Sequence, residues 1–448
     1  MTPSELHQYN AELFWHPMAS PAEMKAHKPI VIHRASGVEV EDIDGHRTVD
    51  GVGGLWCVNL GYSNDAVKDA INRQLQELPY YNCFRGTSNA KAIELSRLLA
   101  EFFEPEGMAR AFYTSGGSES VETALRLARQ FHKIAGAPER TKFISLRSGY
   151  HGTNFGGGSL TGMTRFHRAY GPMLPGCYHV PCPWTYRNPW NEGDAEKLSA
   201  LCADALDAEI RFQDPATVAA FVMEPVIGSG GVIPPHESFM PKVRDICDRY
   251  GVLLIADEVI TGFGRAGAWC GSRMWGVKPD LMTVAKGITN GFVPFGAVLL
   301  SQRIAEVFEA ERGPIAALST GYTYSGHPVG AAAAIASITE AKRLQVAENA
   351  RIRGDEMLAG LRALQDKYEV VGDVRGKGLM LAIELVSDRD AKVPLDKDGV
   401  QRIFAATYRA GTMVRVSGNM IIVSPPLIVA AEHVERIVDC IGVGLASV

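Results

Sequence analysis

Two apolar runs, Val252-Leu253-Leu254-Ile255-Ala256 and Leu281-Met282-Thr283-Val284-Ala285, each close on a charged residue, and no other stretch constrains the fold as much. Neither run alternates apolar with polar side chains over its length. Each therefore fits a strand buried on both faces of a parallel sheet rather than one with a wet face. Asp257 closes the first run, and Lys286 closes the second 29 positions later. Both side chains are expected beyond the carboxyl ends of their strands, where open α/β sheets bind ligands.

A carboxylate and an amine placed there answer two needs of an aldehyde cofactor built on a pyridine ring. Lys286 would form the Schiff base. Asp257 would pair with the pyridine nitrogen and keep it protonated, so that the ring accepts the electrons left when a C–H bond breaks. Each pKa unit gained by the ring nitrogen corresponds to about 1.4 kcal/mol in favour of its charged form. The same two residues also suit solvent-facing positions at ordinary strand ends, so a further signal is needed.

That signal lies upstream. Phe112-Tyr113-Thr114 leads through Ser115-Gly116-Gly117-Ser118 into a segment where Val121, Ala124, Leu125 and Ala128 recur at helical spacing. N–H groups at a helix N-terminus lack intrahelical partners and the helix dipole favours an anion there, so the turn suits a phosphate. The dipole supplies only about 0.3 to 1 kcal/mol near a surface. N–H and hydroxyl contacts must then do most of the holding. A Ser/Gly N-cap without a ligand would look similar, and the Lys of a nucleotide P-loop is missing.

Composition narrows the class of protein. At 448 residues two domains are expected, and 46% hydrophobic with 21% charged residues marks an ordinary globular chain. A net charge of −5 without a dense basic tract argues against nucleic acid as a partner. Met1-Thr2-Pro3-Ser4-Glu5 begins no secretory signal, and no apolar stretch is long enough to span a bilayer. The eight cysteines form no C-x-x-C pair and read as reduced thiols of a cytoplasmic protein, with no metal site expected.

Helical patterns alternate with short apolar runs such as Lys142–Leu146, Val218–Met223 and Ala297–Leu300, the signature of a large α/β domain. The expected division is residues 1–63 as the N-terminal segment of a small domain, 64–325 as the large domain, and 326–448 as the C-terminal part of the small one. Val38–Gly45 reads as a hairpin strand and turn, and Gly376–Leu385 as a single strand. The Ala-rich Gly330–Ile338 reads as a packed helix joining the domains, and Pro181–Trp190 as a loop.

Taken in order, Ser115-Gly116-Gly117-Ser118-Glu119, Tyr150-His151-Gly152, Glu224-Pro225, Asp257 through Arg265, Lys286-Gly287 and Gly321 through Pro328 resemble the class III aminotransferases over nearly the whole chain. Within that class the chain is most similar to ω-aminotransferases that pass an amino group from a terminal amine or ω-amino acid to pyruvate. The resemblance implies pyridoxal 5'-phosphate as cofactor. It also implies a fold-type I α/β architecture, with a large domain built on a mainly parallel sheet flanked by helices and a smaller α+β domain. The implied assembly is a homodimer with shared active sites, or a tetramer built of such dimers.

The resemblance also assigns roles. Lys286, Asp257 and Tyr150 would be catalytic, with Tyr150 and Val259 on opposite faces of the cofactor ring. Ser115, Gly116, Gly117 and Ser118 would hold the phosphate, joined by Thr323 of a second copy, while Glu224 would lie on the ring's hydroxyl side. Arg415 would grip the carboxylate of pyruvate, because its planar fork makes two parallel hydrogen bonds, and would swing aside for an uncharged amine. Trp56, Phe84 and Tyr322 of a second copy would form apolar walls.

Two positions depart from the family pattern. Gly116 stands where a serine is usual, so one hydroxyl contact to the phosphate is expected to be missing. Arg85 stands where relatives carry an aromatic or apolar residue, and would either select an anionic donor or face solvent. An aminomutase or decarboxylating transamination would use the same Lys286 and Asp257, and a non-catalytic cofactor-binding module is the remaining alternative.

Overall fold

The computed structural model describes residues 1–26 and 29–448. Its centre is a seven-stranded sheet, in spatial order Met108–Thr114, Gly296–Ser301, Leu281–Val284, Leu253–Asp257, Val218–Met223, Lys142–Leu146 and Cys177–Val180. From Leu281–Val284 to the Cys177–Val180 edge all neighbours are parallel. Gly296–Ser301 runs antiparallel to both of its neighbours. The sheet is thus mainly parallel, as the sequence predicts.

The near-continuous apolar runs follow from burial on two faces. Along Leu253–Asp257, Leu253 and Ile255 pack under the helix Gly117–Ile134, while Leu254 and Ala256 pack on the other side, against Ala195–Phe212 and Phe239–Tyr250. Each such Leu or Ile contributes about 1.5 to 3 kcal/mol by leaving water. A polar residue in either series would face a core, which is why the pattern does not alternate.

A four-stranded sheet joins the chain's two ends. Ile32–Ser36, Glu39–Asp42 and Arg47–Asp50 form an antiparallel meander, and Thr412–Met413 pairs with Arg47–Asp50 in parallel. A five-stranded sheet uses Val371–Lys377, Met380–Asp388, Val393–Pro394, Arg415–Ser417 and Met420–Val423. The expected single strand at Gly376–Leu385 is corrected to a hairpin. Gly378, at φ +56°, makes the turn between Val371–Lys377 and Met380–Asp388, a conformation open to glycine at little cost.

The helix Pro328–Arg343 extends the expected Ala-rich segment and is buried against Asp65–Glu77 and Ala90–Phe102. Its small side chains permit that close approach. Asn64 caps Asp65–Glu77, accepting from the Val67 N–H at 3.1 Å. The seven-stranded sheet lies wholly within residues 64–325, and the strands of the other two sheets lie outside that span.

Candidate active site

In the paired register of the two central strands Asp257 stands opposite Thr283, and Lys286 follows three residues later, so both reactive groups leave the sheet at one edge. Asp257 is buried and held on both oxygens. His151 Nδ1 lies 2.8 Å from Oδ2, and Thr283 donates to Oδ1 at 3.0 Å. Lys286 opens a short 3-10 turn with φ +48°, a left-handed conformation that side chains with a Cβ rarely adopt. Such backbone strain is a recurrent property of functional sites. Burial lowers the Lys286 ammonium from its ordinary value, and the Asp257 and Glu224 carboxylates act against that shift.

Glu224 sits at the end of the strand Val218–Met223. It accepts from the Tyr150 N–H and the Gly228 N–H, both at 2.9 Å. Burial pushes its carboxyl up to about 7, with nearby Asp257 adding to the effect. Tyr150 is also raised, by burial first and by Asp257 second, and its ring packs 5.4 Å from that of Phe166.

The turn Ser115–Ser118 runs from the strand Met108–Thr114 into the helix Gly117–Ile134, whose N-cap residue, Gly116, makes no side-chain capping bond. Its first N–H groups are left for an anion. Gly117 is required by packing, since a Cβ there would sit 2.9 Å from Val259 Cγ1. Gly152, at φ +102°, lets the Tyr150 loop cross the turn, where a Cβ would meet Ser118 Cα at 2.8 Å. The Thr153 N–H donates to Ser118 Oγ at 3.2 Å.

A cavity of about 350 Å³ collects Ser115, Gly116, Gly117, Ser118, Tyr150, Glu224, Asp257, Val259 and Lys286. The structure thus brings together the expected lysine, carboxylate, anion seat and both ring-facing side chains. Sequence reasoning missed Leu55 and Cys57, which line the same cavity, and did not single out His151 and Thr283. The signal for His151 was its place in the Tyr150-His151-Gly152 motif.

Trp56 is a correction. Its indole is buried among Val226, Val232 and Ile260, and Leu55 and Cys57 face the cavity in its place. Positive φ at Gly53, Gly54 and Trp56 turns the loop so that the Trp side chain points into the core. Asp50 fixes that loop by accepting from the N–H groups of Val52, Gly53 and Gly54.

Arg415 lines an adjoining cavity that shares Leu55 with the first. Burial lowers its pKa, and the cation of Arg165 adds to the shift. Phe84, Arg85 and Tyr322 do not reach the Lys286 cavity of their own chain. They line a separate concavity, where the Tyr322 hydroxyl lies 3.1 Å from Thr123 Oγ1, behind the first turn of the helix Gly117–Ile134. Thr323 is exposed, and its carbonyl accepts from Tyr80 at 2.7 Å.

A lysine and a held carboxylate at the carboxyl edge of a parallel sheet, with a glycine turn opening a helix beside them, define a fold-type I pyridoxal phosphate enzyme. The chain belongs to the class III aminotransferases, whose family pattern it matches over residues 20–443. A putrescine–pyruvate aminotransferase of Pseudomonas aeruginosa is 36% identical over 91% of this chain and 88% of its own length. An amine transaminase from an uncultivated Pseudomonas species, solved with pyridoxal phosphate bound, superposes with a TM-score of 0.95 at 46% identity, covering 97% of this chain and 98% of that one. An (S)-enantioselective ω-transaminase from Thermomicrobium roseum gives 0.96 at 36% identity, over 100% of this chain and 99% of its own.

The cofactor is therefore pyridoxal 5'-phosphate. The residues present fit it, with an uncapped helix N-terminus for a phosphate, a buried carboxylate for a ring nitrogen, and an amine whose charged form burial disfavours. No helix among the described residues is long and apolar enough to cross a membrane.

Proposed function

We propose that this aminotransferase moves the amino group of a primary amine or ω-amino acid to pyruvate, releasing an aldehyde or ketone and L-alanine by a ping-pong route. The donor would be of the β-alanine, taurine, 4-aminobutyrate, putrescine or arylalkylamine type. The observation that carries the reading is the convergence of Lys286, Asp257 and the Ser115–Ser118 turn on one cavity, with Arg415 lining the cavity beside it.

When bound, the cofactor supplies an electron sink and a carrier for the amino group. The protein does the rest. Lys286 Nζ, with its ammonium disfavoured by burial, takes the proton from the donor carbon that bears nitrogen. Acid–base catalysis of this kind contributes about 10² to 10⁴ in rate. Asp257 stays fixed through His151 and Thr283 and balances positive charge on a ring nitrogen. Tyr150 and Val259 hold the ring plane, Glu224 orients the Tyr150 backbone, and Arg415 receives the acceptor carboxylate.

A homodimer, or a tetramer of such dimers, is part of the reading. Phe84 is 52% exposed and Leu318 47% around a concavity separate from the Lys286 cavity of its own chain. That edge, with Arg85, Tyr322 and Thr323, suits contribution to the site of a second copy. A cytoplasmic location agrees with eight free cysteines.

The test is to mix the yellow holoprotein with each donor in the absence of acceptor and follow loss of colour, then its return with pyruvate. Bleaching by one donor class, reversed by pyruvate with alanine formed, is the expected result. Recovery only with a different oxo acid would remove the pyruvate assignment. Full turnover by Lys286→Ala would remove the mechanism.

A further inference from the structure

We infer that Asn290 is a positioning residue for the reaction: its side-chain amide locks the turn that carries Lys286 onto the backbone of residues 57–61, so that the reach of the lysine is set by a segment far upstream. This rests on the reading of Lys286 as the lysine that carries the cofactor and moves the proton.

The 3-10 turn Lys286–Thr289 begins and ends in left-handed backbone. Lys286 has φ +48°, and Asn290, which closes the turn, has φ +55°. Asparagine tolerates this region, but lysine does so only when its surroundings over-determine it. Asn290 provides the restraint. Its side chain is fully buried, its Oδ1 accepts from the Leu60 N–H at 2.6 Å, and its Nδ2 donates to the Gly61 carbonyl at 2.8 Å. Both ends of one amide are thus engaged by two successive residues of one backbone segment, which fixes the turn in rotation as well as in distance.

The contact continues on either side of this pair. A Cβ on Gly287 would stand 2.5 Å from Asn59 Nδ2, and one on Gly291 would stand 2.9 Å from Cys57 Sγ. Asn59 donates to the Phe263 carbonyl at 3.1 Å and accepts from the buried Arg265 at 2.9 Å. Arg265 in turn donates to the Leu379 and Pro425 carbonyls. Beyond Gly61, the Tyr62 hydroxyl donates to Asp50 at 2.6 Å. Residues 57–61 are therefore held at both ends, and the lysine turn is seated on them.

Lys286 lines the cavity that Cys57 also lines, and Asn290 does not. Asn290 acts through the backbone of the turn. A flexible side chain that must meet one carbon and then another depends on where its own backbone stands, and a displacement of about 1 Å costs on the order of 100-fold in rate.

The experiment compares the unaltered chain with Asn290→Gly, which keeps the left-handed backbone without steric cost and removes only the amide pair. Asn59→Ser loosens the same seat from the other side. Circular dichroism reports folding, and borohydride reduction with peptide mapping identifies the lysine to which the cofactor is attached. In cofactor-free protein, amide exchange in residues 287–290 should quicken about tenfold or more in Asn290→Gly and stay unchanged in Leu253–Asp257, because the lost hydrogen bonds act locally. In the holoprotein kcat should fall about 10- to 100-fold while KM for the donor stays within about threefold. The pH midpoint of the bound cofactor's visible band should shift as well, which a general loss of stability would not produce. Should Asn290→Gly fail to fold, Asn59→Ser decides by the same readings.

A folded Asn290→Gly with unchanged kcat and unchanged cofactor titration overturns the inference. So does slower turnover with the exchange of residues 287–290 unaltered. Attachment of the cofactor to a lysine other than Lys286 removes the reading beneath the inference along with it, and the mapping of the unaltered chain reports that outcome separately. If no donor is turned over, the transaminase reading falls, while exchange and cofactor titration still decide the role of Asn290.

Discussion

His151 Nδ1 lies 2.8 Å from Asp257 Oδ2 in a pocket where both side chains are buried. The imidazole and the Thr283 hydroxyl leave the carboxylate little freedom to rotate, and a fixed carboxylate is what a ring nitrogen needs if its charge is to be stabilised without reorganisation. Replacing His151 by Leu removes a hydrogen bond to a charged group, a loss of about 1.5 to 3 kcal/mol. The expected result is a fall in kcat of roughly 10- to 100-fold. The same variant should shift the pH dependence of the bound cofactor's absorption, which a purely structural lesion would not do. Unchanged titration with reduced kcat would show that His151 acts by packing alone.

Gly116 is the site of a gain. Its φ of 171° is extended backbone open to any residue, and a Cβ placed there meets nothing within 4 Å. Gly116→Ser should therefore add a hydroxyl beside the phosphate seat without strain. One added hydrogen bond contributes about 0.5 to 1.5 kcal/mol, so the cofactor dissociation constant should drop a few-fold to about tenfold on equilibrium dialysis. Gly117→Ala serves as the contrast. Its Cβ would stand 2.9 Å from Val259 Cγ1, displacing a ring-facing side chain, and cofactor binding should weaken.

Glu224 gives a pH signature with a definite sign. Its ordinary value is 4.5, and burial raises it to about 7 in the folded chain. Between those values the unfolded chain has released the proton that the folded chain keeps, so stability falls as pH rises through this window. The loss is at most about 3 kcal/mol. Urea unfolding of cofactor-free protein at pH 5 and pH 8 should show Glu224→Gln losing less stability over that interval than the unaltered chain. Parallel losses in the two proteins would show that Glu224 titrates normally.

The parts of this site legible in the sequence are those where chemistry coincides with a backbone requirement. Asp257 and Lys286 end runs that only a doubly covered strand explains, and Gly116-Gly117 marks a turn that must pass close to Val259. Trp56 was misplaced because the direction of its side chain depends on positive φ at Gly53, Gly54 and Trp56 around a kink at Leu55, which composition does not encode. The hairpin at Gly378 was hidden for a similar reason. Gly376-Lys377-Gly378 runs directly into the apolar stretch Leu379-Met380-Leu381, and the turn shows only once Val371–Lys377 pairs back on Met380–Asp388.

Arg415 separates the two half-reactions. Its charge is disfavoured first by burial and then by Arg165, so a bound carboxylate relieves both penalties at once. An uncharged amine offers no such relief and has no need of the fork. Arg415→Ala should therefore lower kcat/KM for pyruvate by about 100-fold, the scale of a lost bidentate pair. Bleaching of the holoprotein by an uncharged donor should stay within a few-fold of the unaltered rate. Arg415→Lys should recover only part of the loss, because an ammonium supplies charge without the planar pair of donors. Equal damage to both half-reactions would place Arg415 in the support of the cavity wall it shares with Leu55, and the acceptor carboxylate would then have to be sought elsewhere on the rim.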